Sequence, residues 1–330
     1  MRSLASETVL VTGGTGRIGA PLVRALLARG DHVTVLTRDP GKVTDLPGAR
    51  LVKGTLFDAA ALADALTGAT VVYHLAGGVR GAGQDTADRL NREGTEAVLA
   101  AVRAAKGPPL RAFVYASSCA VYGDRSGLWV AEDYPPSPHT TYGVAKVAAE
   151  AAVTAAGLPS RIARIAAVYG PGFSFLLADR MRAQKAWLPG EGRNIVPVVH
   201  VDDCVAALLR IGDADVGGIF HVAGRTAPTL KEFYAAVHAA SGGAPVRFWS
   251  TWIPSALQLA VARANERVVA GLGRRPRFTE DNLRLYTASV RLRTDRLEKE
   301  LGFTWAWGDH KAGVPAAVQA SPGQPGERAA

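Results

Sequence analysis

The stretch TVLVTGGTGRIGAPLVRALLARG, from Thr8 to Gly30, decides the fold. Its first five residues form a β-branched and aliphatic run of strand length, and Ile18 to Arg29 carries apolar residues at helical spacing. Between them Gly13, Gly16 and Gly19 follow the pattern G-x-x-G-x-x-G. Glycines there let the backbone approach a pyrophosphate, whose charge then rests at the amino end of the following helix. An ordinary glycine turn is the plain alternative. A second strand-like run, HVTVLT, follows at once, so strand, loop, helix and strand occur in the order that dinucleotide binding requires.

The same rhythm continues outward. ARLVK, a helix near Ala59 to Leu66, TVVYHLA, a helix over Arg89 to Ala105, RAFVYAS, a helix beginning near Tyr142 and SRIARIA alternate strand and helix. That order predicts an α/β fold, a parallel sheet with helices on both faces. After Pro171 helical stretches near Phe175 to Lys185, Val201 to Ile211, Leu230 to Ser241 and Ser255 to Gly271 are joined by Gly/Pro-rich connections. The final SPGQPGERAA reads as a disordered tail.

The end of the second strand bears on which dinucleotide is held. An acid there bonds an adenosine ribose and repels a 2′-phosphate, but Thr37 and Arg38 occupy that place. With Arg17 in the glycine loop and Lys42 after the turn, the corner favours NADP(H), with NAD(H) as the alternative. A register two residues later makes Asp39 the ribose acid instead, although its place before Pro40 suits a turn.

A second feature lies in SPHTTYGVAKVAAE, Ser137 to Glu150, where Tyr142 and Lys146 stand four residues apart on one helix face. Such a pair is often only a ring sheltering an aliphatic stem. It also presents two polar tips to one ligand. A phenol ordinarily titrates near ~10, and an ammonium about 5 Å away at an effective dielectric of ~20 stabilises phenolate by roughly 3 kcal/mol. On that reading Tyr142 becomes a usable acid and base.

Bulk properties exclude several classes. The 330 residues are 48% hydrophobic and 20% charged, enough for a large core. No apolar run reaches membrane-spanning length, and MRSLASETVL enters a strand-like segment without an apolar signal region, so a cytoplasmic protein with no membrane partner is expected. Cys119 and Cys204 are far apart and lack ligand company, which suits a reducing compartment and no metal. The net charge of +9 is scattered apart from the cluster GRRPRF, with no nucleic-acid motif, and points to a small anionic ligand or a solvated basic surface.

Seven motifs, TGGTGRIG, HLAGG, NREGTEAVLAA, FVYASSCAVYG, PHTTYGVAK, RIAAVYGPG and VHVDD, occur in an order and spacing that resemble the extended short-chain dehydrogenase/reductase family over roughly residues 8 to 310. The resemblance implies a doubly wound parallel Rossmann sheet with a smaller, mostly C-terminal substrate-binding lobe. The core then spans 7–170 with 195–225 returning to it, the lobe 171–194 and 226–315, and the tail 316–330. It also implies Tyr142 as acid/base, Lys146 as its activator and ribose ligand, and Ser118 as the hydroxyl on the substrate oxygen, with Ser117 the alternative. Thr15, Ile18, Leu56, Leu75, Ala76 and Gly77 join the dinucleotide site by the same resemblance, and Ile165 and Ala166 back the nicotinamide. Thr55 stands where many members carry an acid toward adenine, and Ile165 where many carry proline. Asn91 reads as structural, and Asp202 and Asp203 as a helix N-cap and first-turn acid.

The family contains reductases and enzymes that epimerise or dehydrate nucleotide sugars. Cys119 and Ala120 follow Ser118 where a dehydratase wants an acid pair. An epimerase commonly shows an arginine shortly before VHVDD to clamp a diphosphate, but Val196 and Pro197 stand there and Arg193 lies upstream. Trp249, Trp252 and Ile253 suit an apolar pocket wall. The arrangement looks most like the dihydroflavonol reductase and 3β-hydroxysteroid dehydrogenase-like branch, an NADP(H)-dependent reductase acting on a small molecule. Family members often pair the helices around Arg89 to Ala105 and Tyr142 to Ala156, which implies a homodimer. A nucleotide-sugar epimerase is the alternative, and a silent dinucleotide sensor the third reading.

Overall fold

The computed structural model describes residues 6–78, 89–171, 173, 181, 186–242, 244–248, 255–272 and 279–320. Seven parallel strands form the central sheet: β1 (Thr8–Thr12), β2 (His32–Thr37), β3 (Arg50–Lys53), β4 (Val71–His74), β5 (Ala112–Ser118), β7 (Ser160–Ile165) and β11 (Gly218–Val222). Their order across the sheet is β11-β7-β5-β4-β1-β2-β3. Short pairs lie outside it: β8 (Ala167–Tyr169) with β10 (Val198–His200), β9 (Trp187–Leu188) with β12 (Arg247–Phe248), and β6 (Trp129–Val130) with β13 (Arg291–Leu292). The helices are α1 (Gly19–Ala28), α2 (Ala59–Ala65), α3 (Glu93–Ala104), α4 (Thr141–Ala155), α5 (Val201–Asp213), α6 (Leu230–Ser241), α7 (Ser255–Gly271), α8 (Glu280–Thr287), α9 (Asp295–Leu301) and α10 (His310–Gln319).

Burial on both faces explains the strand sequences. Val9 and Val11 of β1 join Leu22, Val23 and Leu26 of α1 and Leu208 and Ile211 of α5 on one side. Leu10, one residue out of phase, joins Leu62 of α2, Val98 and Leu99 of α3 and Val153 of α4 on the other. The strand order reverses direction between β1 and β4, which opens a crevice at their carboxyl ends. The doubly wound architecture read from the sequence is the one observed.

A third core holds the lobe. Phe233, Tyr234 and Val237 of α6 pack with Val314, Ala317 and Val318 of α10 and with Tyr169. That packing extends α10 to Gln319, past the point where a disordered tail was expected to begin, because Ala317 and Val318 are buried. Another sequence reading changes in part at α5, where Asp202 and Asp203 are both first-turn acids but neither is the N-cap. His200 is its N-cap, accepting from the Asp202 amide at 3.2 Å, while Asp203 turns away to accept from the amides of Ala306 and Trp307 at 2.8 and 2.9 Å. The helix expected near 175–185 falls mostly outside the described residues, and Trp249, Trp252, Ile253 and the GRRPRF cluster fall wholly outside them. No helix among the described residues is long and apolar enough to cross a membrane, and no described group of acids, histidines and cysteines has metal-site geometry.

Candidate active site

The glycine loop is shaped by close contacts. Gly13 has φ +71°, and a Cβ there would lie 2.7 Å from the Ala76 amide nitrogen; one at Gly19 would lie 2.0 Å from the Gly13 oxygen. The Gly16 amide donates to the Gly13 carbonyl at 2.9 Å, closing the turn. No side chain caps the first turn of α1, where the Ala20 amide donates to the Gly16 carbonyl at 2.9 Å and Pro21 has no amide hydrogen, so an anion there would be met by the loop and Gly19, beside exposed Thr15 and Arg17. These observations fit a dinucleotide pyrophosphate.

At the end of β2, Thr37 is buried and its hydroxyl accepts from the Asp39 amide at 3.4 Å, whereas Arg38 is exposed. Lys42 forms an ion pair with Asp39 at 2.9 Å. Thr55 and Leu56 do not line the cleft described below: the Thr55 hydroxyl accepts from the Phe57 amide, and Leu56 is core beneath α3. At the end of β4, Leu75 and Ala76 turn toward β1, with the Leu75 amide donating to the Thr12 carbonyl at 3.1 Å. His74 beneath them is locked neutral. Thr95 donates to the Asn91 carbonyl at 2.6 Å, so it accepts from His74 Nε2 at 3.0 Å, and Nδ1 accepts from Thr12 at 2.6 Å. Burial, with Lys146 nearby, pushes this imidazole down to about 3.

The reactive group lies where β5 meets α4. Thr140 caps α4 by accepting from the Gly143 amide at 3.1 Å. A Cβ on Gly143 would stand 2.6 Å from the Ala120 carbonyl, so glycine lets the helix start approach the turn after Ser118. Tyr142 and Ser118 thereby become neighbours, with the serine side chain acting on the phenol. Lys146 follows one turn later, its ammonium donating to the Ala116 carbonyl at 2.8 Å and lying 4.8 and 5.8 Å from the ring centres of Tyr115 and Tyr142. Burial pushes Lys146 down to about 8, against the opposing pull of Glu150. Burial also pushes the Tyr142 phenol up to about 12, with the Ser118 hydrogen bond acting the other way. The expected depression of Tyr142 by Lys146 is therefore not found in the protein alone: desolvation dominates, and the group that opposes it is Ser118 rather than Lys146.

The two serines are separated by the alternation of the strand. Both serines border the cleft, but Ser117 is buried and its hydroxyl is committed to Glu150, donating at 2.5 Å, whereas Ser118 is half-buried and accepts from the Ala120 amide at 3.2 Å. Glu150 is also gripped by Arg164, with Nη2 to Oε2 at 2.7 Å, and Arg164 reaches the Tyr122 hydroxyl at 2.5 Å. Tyr122 in turn meets His221 Nε2 at 2.6 Å. This buried network joins α4 to β5, β7 and β11 directly under the site.

The cleft encloses about 500 Å³. Ile18, Leu75, Gly77, Asn91, Ile165 and Ala166 line its side toward the glycine loop and the sheet. A Cβ on Gly77 would lie 2.5 Å from Asn91 Oδ1 and 3.5 Å from Lys146 Nζ, so glycine keeps the way to Lys146 open. The far side is walled by Val168, Phe173, Val196, Pro197, Leu285 and Val290. Arg17 and Lys146 are the only Lys or Arg among the described lining residues, and no carboxylate is among them.

Sequence reasoning missed the strap that holds the lobe against this site. His139 Nδ1 accepts from the Asp124 amide at 2.9 Å, leaving Nε2 to donate to the Arg284 carbonyl of α8 at 3.3 Å. Asp281 of α8 accepts from the Thr141 amide at 3.1 Å, at the first residue of α4. A carboxylate there also complements the helix dipole.

Known proteins resemble this arrangement along most of the chain. The sequence pattern of the NAD dependent epimerase/dehydratase family matches residues 9–223. A 3-diazoavenalumate denitrifying reductase from a Streptomyces species is 30% identical over 298 residues, covering 81% of this chain and 95% of that protein. A Stigmatella aurantiaca 4-hydroxy-2-methyl-3-oxo-4-farnesyl-3,4-dihydroquinoline-1-oxide ketoreductase is 29% identical over 328 residues, covering 94% and 96%. Among solved structures, MoeE5 in complex with UDP-glucuronic acid and NAD superposes with a TM-score of 0.75 at 26% identity, covering 95% of this chain and 98% of that one.

Proposed function

Because the chain belongs to the NAD dependent epimerase/dehydratase family, whose members here include reductases and sugar-nucleotide enzymes, we propose that it is a cytoplasmic NADP(H)-dependent oxidoreductase. Its substrate is a mainly apolar small molecule carrying a ketone or aldehyde, interconverted with the alcohol. The observation that carries this reading is the cleft beside Ser118 and Tyr142, apolar on its far wall and with no described cation there to hold a diphosphate. Arg193, the nearest arginine upstream of VHVDD, has a side chain 86% exposed and pairs with Glu191 at 3.3 Å. The reductase names of the Streptomyces and Stigmatella relatives support the same direction.

The residues divide the chemistry. A bound reduced nicotinamide supplies the hydride. Ser118 donates a hydrogen bond to the substrate oxygen as negative charge develops there, and Tyr142, protonated at neutral pH, delivers its proton to that oxygen. Lys146 holds the nicotinamide ribose and, while cationic, favours the phenolate left behind. The apolar walls exclude water from the carbonyl.

The nucleotide-sugar epimerase reading draws its support from the MoeE5 likeness. Steady-state kinetics on apolar ketones and aldehydes, run beside a nucleotide-sugar epimerisation assay, separate the two. Tyr142→Phe should lower ketone turnover by about 10² to 10⁴ while NADPH binding and the fold persist. Full activity in that variant, or turnover of the nucleotide sugar alone, overturns the assignment.

A further inference from the structure

The outer face of α7 carries a row of exposed apolar side chains without a partner among the described residues. Leu257, Val261, Val268 and Leu272 are 53%, 47%, 63% and 67% exposed. At 100° per residue they fall within an arc of about 60°, a single stripe roughly 22 Å long. Leu272 continues the helical pattern, its amide donating to the Val268 carbonyl at 3.2 Å. The adjoining face, with Gln258 and Ala262, is buried. The helix is fixed to α8 by Arg263, which pairs with Glu280 at 2.6 Å, and by the Glu280 amide, which donates to Glu266 at 2.8 Å. Leu285 and Tyr286 of α8 line the cleft on the other side.

We propose that this stripe seats the protein on an anionic lipid surface, with α7 lying in the interface and α8 between it and the cleft. Charge decides for this occupant. Of the two exposed charged side chains of α7, both basic, Arg267 lies about 80° round the helix from the edge of the stripe while Arg263 is turned away onto Glu280, and the acid Glu266 is turned inward onto the Glu280 amide. The whole chain carries a net +9. An apolar stripe flanked by arginine is the pattern of a helix that lies in a headgroup boundary. A second copy of the chain fits less well, because a stable dimer covers about 800 Å² on each partner and a row of four half-exposed side chains falls short of that. The absence of a spanning helix, which led to the expectation of no membrane partner, does not bear on a helix lying flat. The proposal is independent of the reaction assigned to the cleft.

Flotation of the full-length protein with vesicles of phosphatidylcholine alone, or with one-third phosphatidylglycerol, tests it. The protein should float with the anionic vesicles, at least tenfold less with the neutral ones, and progressively less as salt is raised. The variant L257S/V261S/V268S/L272S should lose at least tenfold in flotation while its melting temperature and NADPH binding stay near the parent. If that variant does not fold, V268S/L272S and Arg267→Glu each still predict a loss. No flotation of the parent, equal flotation on both vesicle types, or flotation unchanged by the substitutions overturns the proposal. So does a soluble dimer that the serine variant dissociates without any vesicle binding.

Discussion

The Lys42 ammonium stands 2.9 Å from the Asp39 carboxylate on the turn that follows β2. Both side chains are more than half exposed, so the pair adds little stability. Its effect is on the charge of the corner. Asp39 is partnered before any ligand arrives, while Arg38 beside it is exposed. NADPH should therefore bind more tightly than NADH by about 1 to 3 kcal/mol, the scale of hydrogen bonds to charged groups. Isothermal titration reads the difference, and Arg38→Ala should remove most of it. Equal affinities in the parent protein would exclude a phosphate site here.

Ser117 and Ser118 should separate stability from turnover. Ser118→Ala takes a hydroxyl from the cleft and should lower turnover by about 10- to 10³-fold with the urea midpoint unchanged. Ser117→Ala takes a donor from the buried Glu150 carboxylate and should cost about 1 to 3 kcal/mol of stability, with turnover largely kept. The reverse pattern would mean that the roles of the two serines are exchanged.

How much of this was legible depended on distance along the chain. Gly13, Gly16 and Gly19, and the pair Tyr142 and Lys146, are local spacings, and the sequence displays them directly. The choice between Ser117 and Ser118 was not legible, because one residue of register moves a side chain to the other face of a strand. Nor was the rise of the Tyr142 phenol, which depends on walls contributed from several elements. Asp281 meets the start of α4 from 140 positions away, and His139 reaches Arg284 from 145. Neither partner carries a motif that would have announced the contact. Thr55 and Leu56 were placed by resemblance alone, and their packing gives Thr55 a hydroxyl accepting from the Phe57 amide and Leu56 a place in the core.

The outward faces of α3 and α4 should join two copies of the chain. Along α4 the exposed or half-exposed residues Val144, Ala148, Ala151 and Ala155 form one small-residue face, and α3 adds Ala100 and Ala104. Small side chains permit close helix approach. Light scattering should find a dimer at micromolar concentration, and Ala151→Arg should dissociate it. A monomeric parent protein would remove the idea.

Lys146 should give the apoprotein a distinctive dependence on pH. Its folded-state value, about 8, lies below the ordinary 10.5, and its cause is burial. Below about 8 the ammonium is protonated folded or unfolded, and its full burial cost, about 3 kcal/mol, opposes folding. Between about 8 and 10.5 the unfolded chain binds a proton that the folded chain has released, so stability rises with pH across that window. Tyr142, pushed up to about 12, acts in the opposite direction above its ordinary 10, and the buried thiols of Cys119 and Cys204, pushed up from 9, do so from about pH 8.5. The contribution of Lys146 is therefore read as a difference: the urea midpoint of the parent relative to that of Lys146→Met should increase from pH 8 to 9.5. Function should move the other way. The cationic form is the one proposed to hold the ribose, so kcat/KM for NADPH, which reports the free enzyme, should fall as pH rises through about 8. The phenol remains protonated over that range and contributes no limb of its own. A profile flat to pH 9.5 in the parent protein, or an unchanged falling limb in Lys146→Met, would show that Lys146 does not control cofactor capture.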